Sequence, residues 1–199
     1  MKHIAIFASG AGSNAQKIID HFRNLSPSLS KGEGASAEVS LIICNKPGAG
    51  VLSIAEKEDI PVMFIEKEKF FRGNAYVNEL KEKQIDFIVL AGFLWKIPDT
   101  LVRAFPRRII NIHPALLPKY GGKGMYGNNV HAAVLAAGEK ESGITIHYVD
   151  EQYDNGDIIF QATCPVLSDD TPDSLARRIH QLEHEHFPKV IEKLVREVK

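Results

Sequence analysis

The sequence is short of cysteine, of long apolar runs and of net charge. Its 199 residues include two cysteines, 24 lysines and arginines, and 25 aspartates and glutamates, and the first apolar run lasts only a few residues before glycines begin. The balanced charge gives no basic field for nucleic acid. The short run excludes a signal-peptide core and a membrane span at the N-terminus. We therefore expect a cytoplasmic protein that binds neither nucleic acid nor membranes.

The two cysteines indicate no disulfide framework. Cys44 and Cys164 each lie inside an apolar, strand-like run, "LIIC" and "FQATC". A small buried side chain is the usual role of a free cysteine in such a run. We predict that both are reduced core residues. Apolar residues make up 44% of the chain, which is enough for a substantial core.

Strand-like and helix-like segments alternate along the chain. The run "HIAIFAS" precedes "SNAQKIIDHFRN", in which Ala15, Ile18, Ile19 and Phe22 recur at helical spacing. The alternation continues to "RIINIH", and two extended runs and a closing helix follow the helix "NVHAAVLAAG". This pattern predicts an α/β fold, with a doubly wound, mainly parallel central sheet and helices on both faces. Residues 26–37, rich in serine and glycine, are predicted to form a mobile surface loop.

A glycine-rich turn follows the first strand. In "ASGAGSNA", Gly10 and Gly12 come after the strand, and Ser13 and Asn14 open a helix. Exposed backbone N–H groups at a helix N-terminus form an anion site. The spacing also fits a dinucleotide fingerprint, but the second strand ends in Cys-Asn-Lys and lacks the acidic residue that holds the ribose of NAD. We interpret the turn as a phosphate site; the alternative is a turn that only joins strand to helix.

An amide and an imidazole stand at the end of a predicted core strand. In "RIINIHP", Asn111 and His113 are two residues apart and share one face, while Ile112 points into the core. Pro114 lacks an N–H and ends the ladder, so the chain is expected to turn away and leave His113 uncovered. That edge of a doubly wound sheet is the ligand crevice. The alternative is that both side chains only bond loop carbonyls.

The turn "YDNGD" supplies a carboxylate that can fold back over the sheet. Asp154 begins strong turn chemistry, so one interpretation is that it caps its own turn. The other is that it raises the pKa of a neighbouring imidazole and fixes its tautomer. Asp150 and Asp157 compete for this role, since spacing does not exclude them.

The closing helix carries a histidine pair that resembles a metal motif only in part. His180 and His184 are four residues apart, but no glutamate directly follows the first of them, as H-E-x-x-H requires. Leu175, Ile179 and Leu182 form the buried stripe of an amphipathic helix that begins at a Thr-Pro cap. We predict a polar face here and no metal. The Lys-rich "EKEKFFRG" is predicted to be solvated charge, and Trp95 a core or rim residue.

Five segments of the chain resemble, in order and spacing, the phosphoribosylglycinamide formyltransferase family: "FASGAGSN", "VLAGFL", "NIHPALLPKYGG", "GITIHYVDEQYDNGDII" and "LEHEHFPKVI". The N-x-H-P-x-L-L-P element with a later D-x-G marks the wider superfamily that uses 10-formyltetrahydrofolate, and the G-x-G-S-N loop points to this member. The resemblance implies a single formyltransferase domain over residues 1–199. Its N-terminal half would bind the nucleotide phosphate, and its C-terminal half would bind folate and perform catalysis.

The resemblance also implies roles for individual residues. The family's catalytic residues match Asn111, which would hold the developing oxyanion, His113, which would polarise the formyl group and move protons, and Asp154, which would control that histidine. Substrate-binding positions match Gly12, Ser13, Asn14 and Glu183. Positions that line the folate pocket match Phe93, Leu94 and Ile97, together with Asn111. His147 would be a supporting residue.

The implied activity is transfer of a formyl group from 10-formyltetrahydrofolate, as co-substrate, to the amino group of glycinamide ribonucleotide in purine biosynthesis, without a metal. The partners would be these two small molecules, and the protein a monomer or homodimer. Alternatives are a formyltetrahydrofolate deformylase or another formyltransferase of the superfamily, whose extra domains are not expected here, a nucleotide-binding protein without catalysis, and an NAD dehydrogenase. Two departures from the family are the longer stretch "GGKGMYGNNVH" and Trp95-Lys96, where some members have arginine.

Overall fold

The computed structural model describes residues 1–25 and 37–198 of the chain. Its strands are β1 (Lys2–Ala8), β2 (Ala37–Cys44), β3 (Val62–Phe64), β4 (Phe87–Leu90), β5 (Ile109–His113), β6 (Glu141–Tyr148) and β7 (Ile158–Pro165). Its helices are α1 (Ser13–Leu25), α2 (Gly50–Lys57), α3 (Lys67–Phe71), α4 (Ala75–Glu82), α5 (Asp99–Ala104), α6 (Asn128–Ala136) and α7 (Pro172–Glu197).

The seven strands form one sheet in the order β3-β2-β1-β4-β5-β6-β7. Strands β1 to β5 pair in parallel, whereas β6 is antiparallel to both β5 and β7. The chain winds outward in one direction from β1 to β3 and in the other from β4 onward. The predicted doubly wound, mainly parallel sheet is confirmed, and the direction of winding changes between β1 and β4.

Each face of the sheet carries its own apolar layer. On one face, α1 and α7 pack over the sheet, and the predicted stripe of α1 is buried there: Ala15, Ile18, Ile19 and Phe22. On the other face, residues of α4 and α5 pack against the strands, with Leu80 and Leu101 as examples. Apolar side chains alternate between the two layers along a strand because successive Cβ atoms point to opposite faces.

The segment "EKEKFFRG" contradicts the prediction of solvated charge in part. It forms the short helix α3, whose Phe70 is only 2% exposed. Phe70 packs edge-on against Phe93, with ring centroids 5.8 Å apart, and contacts Phe7 and Tyr76. The apolar burial of one ring fixes a helix that its charged neighbours do not specify.

The closing helix begins where the sequence indicates. Thr171 caps α7, since its side chain accepts from Ser174 N and the Ser174 side chain accepts from Thr171 N. Cys44 and Cys164 are buried and free, as predicted. The prediction for residues 26–37 lies outside the described residues except at Ala37, which begins β2. None of the described helices has the length and apolar character needed to cross a membrane.

Candidate active site

A cavity of about 670 Å³ opens at the carboxyl edge of the sheet, where the winding direction changes. Three segments that follow neighbouring strands line it: residues 10–14 after β1, 90–97 after β4 and 111–114 at the end of β5. The turn around Asp154 and the first half of α7 complete its walls. Ligands of doubly wound sheets bind at this position because the loops from adjacent strands separate there.

His113 is held by two groups that lie far apart in the sequence. Its Nε2 donates to the carbonyl of Tyr120 at 2.7 Å, and its Nδ1 lies 3.6 Å from Oδ2 of Asp154. The Tyr120 carbonyl keeps a proton on Nε2, so Nδ1 is the nitrogen free to take up or release a second one. The expectation that His113 is uncovered was wrong. It is only 3% exposed, because the chain folds back after Pro114 and covers the ring.

Asp154 lies at the centre of the polar cluster. One carboxylate oxygen accepts from Gly122 N at 2.9 Å, and the other lies 3.4 Å from Asn111 Nδ2 and 3.6 Å from His147 Nε2. Its backbone has φ of 51°, a left-handed conformation that suits a turn and that aspartate and asparagine adopt more readily than most residues. Asp154 therefore does more than cap its own turn: it joins β5, β6 and the 121–127 loop.

Asn111 and His147 face each other across the pairing of β5 and β6. Asn111 Nδ2 donates to His147 Nε2 at 3.2 Å, and His147 Nδ1 donates to the carbonyl of Tyr148 at 2.9 Å. The Tyr148 carbonyl thereby fixes the tautomer in which Nε2 of a neutral His147 accepts. This hydrogen bond holds the amide of Asn111 in place.

The pKa of His113 is lowered overall, although Asp154 acts on it in the predicted, upward direction. Burial lowers the pKa of His113, and this outweighs the charge of Asp154 and the bond to Tyr120, which raise it. Burial also acts to raise the pKa of Asp154, but its polar neighbours His147, His113 and the Gly122 N–H together lower it. At neutral pH the cluster therefore contains an ionised carboxylate beside a neutral imidazole.

The two competing carboxylates have other contacts. Asp150 accepts from Gln152 N and Asn155 Nδ2 within its own turn, although it lines the cavity. Asp157 forms an exposed ion pair with Arg107 at 2.9 Å. Of the three aspartates, Asp154 is the one that bonds or pairs with the side chains of β5.

The glycine-rich turn has the backbone that its sequence indicates. Gly12 has φ of 83°, and a Cβ there would lie 2.9 Å from the backbone of Val51, so only glycine fits without strain. Ser13 begins α1, so the first N–H groups of this helix lie at the cavity. This arrangement suits a phosphate.

Asn14 and Glu183 form a second polar pair near this turn. Asn14 Nδ2 donates to Glu183 Oε2 at 2.8 Å, and Asn14 Oδ1 is buried without a partner among the described residues. Burial raises the pKa of Glu183, against the opposing effect of the bond from Asn14. Both residues line the cavity, and Asn14 Oδ1 is an acceptor that a bound ligand could use.

The segment after β4 forms the apolar wall of the cavity. Phe93 packs edge-on against Phe7 with ring centroids 5.2 Å apart, and Ile97 is buried. Leu94 is 52% exposed, while its N–H bonds Ser9 Oγ at 3.2 Å and fixes the backbone. Trp95 is half-buried at the rim and contacts Phe70 and Phe71. The wall thus offers exposed apolar surface on a rigid backbone.

Three groups of the site were not predicted from the sequence. The Tyr120 carbonyl and the Gly122 N–H are backbone groups, which no residue type announces. His131 on α6 also lines the cavity, and its position in an apolar helical run, "NVHAAVLAAG", was the only available indication. Of the histidine pair of α7, His180 is exposed and lines the cavity, whereas His184 does not line it. The two rings stack with their centroids 6.2 Å apart. Within residues 1–25 and 37–198, no group of three or more His, Cys, Asp or Glu is arranged to hold a metal ion.

The sequence profile described as "Formyl transferase" matches residues 2–191. The chain belongs to the formyl transferase family. A crystal structure of glycinamide ribonucleotide transformylase 1 from Geobacillus kaustophilus superimposes with a TM-score of 0.85 at 37% identity, covering 98% of this chain and 99% of that one.

Several named relatives are phosphoribosylglycinamide formyltransferases. The protein of Bacillus subtilis (strain 168) is 38% identical over 199 residues, which cover 98% of this chain and 95% of that protein. The chloroplastic protein of Arabidopsis thaliana is 42% identical over 195 residues, which cover 96% of this chain. The chain spans 64% of the Arabidopsis protein and 62% of a similar Vigna unguiculata protein, less than two thirds of either.

Proposed function

We propose that the protein transfers a formyl group from 10-formyltetrahydrofolate to the amino group of glycinamide ribonucleotide. The observation that carries the proposal is the convergence of Asn111, His113 and Asp154 in one cavity. The cavity lies between the apolar wall and the glycine-rich turn at residues 10–14, which is called the phosphate-type turn below. Similarity to proteins that are named for this reaction supports the choice of substrates. We also propose one formyltransferase domain over residues 1–199, in the cytosol, as a monomer or homodimer.

The polarity of the cavity lining suits the two substrates. Gly12, Ser13 and Asn14 would bind the 5′-phosphate of the nucleotide, with Glu183 beside them. The donor would lie along Phe93, Leu94 and Ile97, where the exposed face of Leu94 suits a flat ring system. The donor supplies an activated formyl carbon, and the chain provides the groups that orient it and move protons.

Asn111 would stabilise charge on the formyl oxygen. When the acceptor amine bonds to the formyl carbon, the carbonyl oxygen gains negative charge, and an N–H donor fixed in advance stabilises it. The 3.4 Å contact from Asn111 Nδ2 to Asp154 is the weaker of its two bonds, so this hydrogen can turn to the substrate. His147 keeps the other hydrogen, and with it the amide plane, in position.

His113 would carry the proton. The attacking amine must lose one proton, and the folate nitrogen must gain one when its bond to the formyl carbon breaks. Nδ1 of neutral His113 accepts the first proton and delivers the second. Asp154, 3.6 Å away, stabilises the imidazolium between the two steps. Burial keeps His113 neutral beforehand, which a proton acceptor requires.

The test is an assay with glycinamide ribonucleotide and 10-formyl folate. We expect formylation of the nucleotide, and nearly complete loss of it in His113→Asn with nucleotide affinity within a few-fold of wild type. Catalysis and phosphate binding lie on different strands, which is why the two effects separate. Formate release without the amine acceptor would instead indicate a deformylase, and parallel loss of binding in the variant would contradict the division of roles.

A further inference from the structure

The proposed mechanism leaves one buried polar side chain of the cavity without a role. His131 projects from α6, is 2% exposed and lines the cavity. Its Nδ1 is buried and has no hydrogen-bond partner among the described residues, whereas its Nε2 is not among the buried atoms that lack a partner. Val130 and Val134 on the same helix are fully buried, so an apolar residue would suit this position equally well if only packing mattered.

The unpartnered Nδ1 determines which hydrogen the ring offers. A buried N–H without an acceptor is more costly than a bare nitrogen with spare lone-pair capacity, so the proton of a neutral His131 resides on Nε2. Burial, together with the charges of His180 and His113, lowers the pKa of His131 to about 4. At neutral pH the ring therefore presents one uncharged N–H donor to the cavity.

The neighbours of His131 locate this donor within the cavity. The ring is close enough to His113 and to His180 for their charges to affect it. His113 lies at the reacting end, and His180 lies one turn before Glu183, which bonds Asn14 beside the phosphate-type turn. His131 therefore shares the cavity with groups at both of its ends, the turn at residues 10–14 and His113.

We propose that His131 Nε2 donates a hydrogen bond to an uncharged oxygen in the middle of the nucleotide acceptor, between its phosphate and its amine. A sugar hydroxyl and a carboxamide carbonyl both have this chemistry. The inference rests on the proposed function, since it takes the acceptor to be a phosphorylated glycoside that carries an amine. His131 is on this view a binding residue that sets the position of the amine, and it takes no part in proton transfer.

Two amide variants separate this role from packing. The side-chain nitrogen of glutamine takes the place of Nε2, whereas that of asparagine takes the place of Nδ1. We expect His131→Asn to raise the KM for the nucleotide and its Kd in calorimetric titration about three- to tenfold, the effect of one neutral hydrogen bond. We expect His131→Gln to stay within about twofold of wild type. The KM for the formyl donor should not change in either variant.

His184→Asn is the matched control. Its Nε2 is also buried without a partner among the described residues, but it does not line the cavity. We expect an unchanged KM for the nucleotide in this variant. If His131→Asn fails to fold in a thermal unfolding assay, His131→Leu replaces it with the same expected loss of affinity.

Equal effects of His131→Asn and His131→Gln, or unchanged nucleotide affinity in His131→Asn, would overturn the inference. So would an equal loss of affinity for both substrates, which indicates a purely structural role. Titration of the nucleotide needs no turnover, so it tests His131 independently of the reaction. Absence of formyl transfer by the wild-type protein, with nucleotide binding retained and weakened in His131→Asn, would refute the proposed function alone.

Discussion

Replacement of Asp154 by asparagine should remove the charge that stabilises protonated His113 while preserving the fold. The carboxylate oxygen lies 3.6 Å from His113 Nδ1. At an effective dielectric constant of about 20, two unit charges at such a distance attract each other by about 4 kcal/mol. Asparagine has the same shape and adopts the left-handed backbone of this turn readily, so the bond from Gly122 N can persist.

The loss should appear in kcat. If the imidazolium forms on the reaction path, removing most of this attraction raises the barrier enough to lower kcat by about 10²- to 10³-fold. The KM for the nucleotide should change little, because Asp154 lies away from the phosphate-type turn. Steady-state formyl transfer measures both constants, and thermal unfolding checks that the variant is folded.

The dependence of kcat/KM on pH tests the same interaction between Asp154 and His113 independently. His113 must be neutral to accept a proton, so activity falls as the pH drops through its pKa. Asp154 raises that pKa against the effect of burial, and its removal lets the pKa fall further. The acid limb of kcat/KM should therefore move to lower pH in Asp154→Asn.

The matched control for this experiment is Asp157→Asn. Asp157 lies three residues after Asp154, and its replacement breaks an exposed ion pair with Arg107. Exposed pairs contribute roughly 0–1 kcal/mol, so this variant should retain wild-type turnover. The reasoning is refuted if Asp154→Asn keeps kcat within about threefold of wild type. A comparable loss in Asp157→Asn or Asp150→Asn would assign the role to that residue instead.

Two further predictions concern the phosphate-type turn and the start of α7. Gly12→Ala should lower the free energy of unfolding by roughly 2 kcal/mol and weaken nucleotide binding, because a Cβ at φ of 83° meets Val51. Gly10→Ala, whose Cβ would meet no described atom within 4 Å, should leave the free energy of unfolding unchanged in the same denaturation series. Asp170→Asn should lower the free energy of unfolding at pH 7 by roughly 2 kcal/mol, since Asp170 accepts from Arg178, Ser174 and Leu167 N. These bonds hold the pKa of Asp170 far below its usual range, so its contribution is present above the unfolded pKa of about 4 and is lost as the pH falls below it. Urea denaturation of the wild type and of Asp170→Asn should thus show a difference in the free energy of unfolding that becomes smaller below about pH 4. A difference in this free energy that does not depend on pH would contradict the explanation.

Local patterns in the sequence were sufficient for the fold. Apolar residues at helical spacing in α1 and alternating strand and helix segments depend on neighbours a few positions away, and they predicted a doubly wound sheet that the structure confirms. The shared face of Asn111 and His113 also followed from the two-residue period of a strand. The short helix α3 was not predicted because the burial of Phe70 depends on residues outside this helix. Tyr76 belongs to α4, and Phe93 follows β4.

Sequence spacing alone did not exclude Asp150 and Asp157, and only the family resemblance pointed to Asp154. The tertiary structure adds the physical reason, because the folded turn directs the carboxylate of Asp154 at β5. Burial by a chain that folds back over the ring lowers the pKa of His113, and this outweighs the upward effect of Asp154 that the sequence suggested. Burial is a sum over distant segments, so no local pattern contains it.

The amino-acid sequence showed which chemical groups the protein possesses and, for Asn111 and His113, that they share one face of a strand, because the side-chain period of a strand is a local property. Only the tertiary structure decided how these groups act on one another. The Tyr120 carbonyl, the Gly122 N–H and the buried ring of His131 reach the cavity through the packing of loops and helices far apart in the chain. Distances and desolvation set protonation and hydrogen bonding, and both are properties of the folded chain.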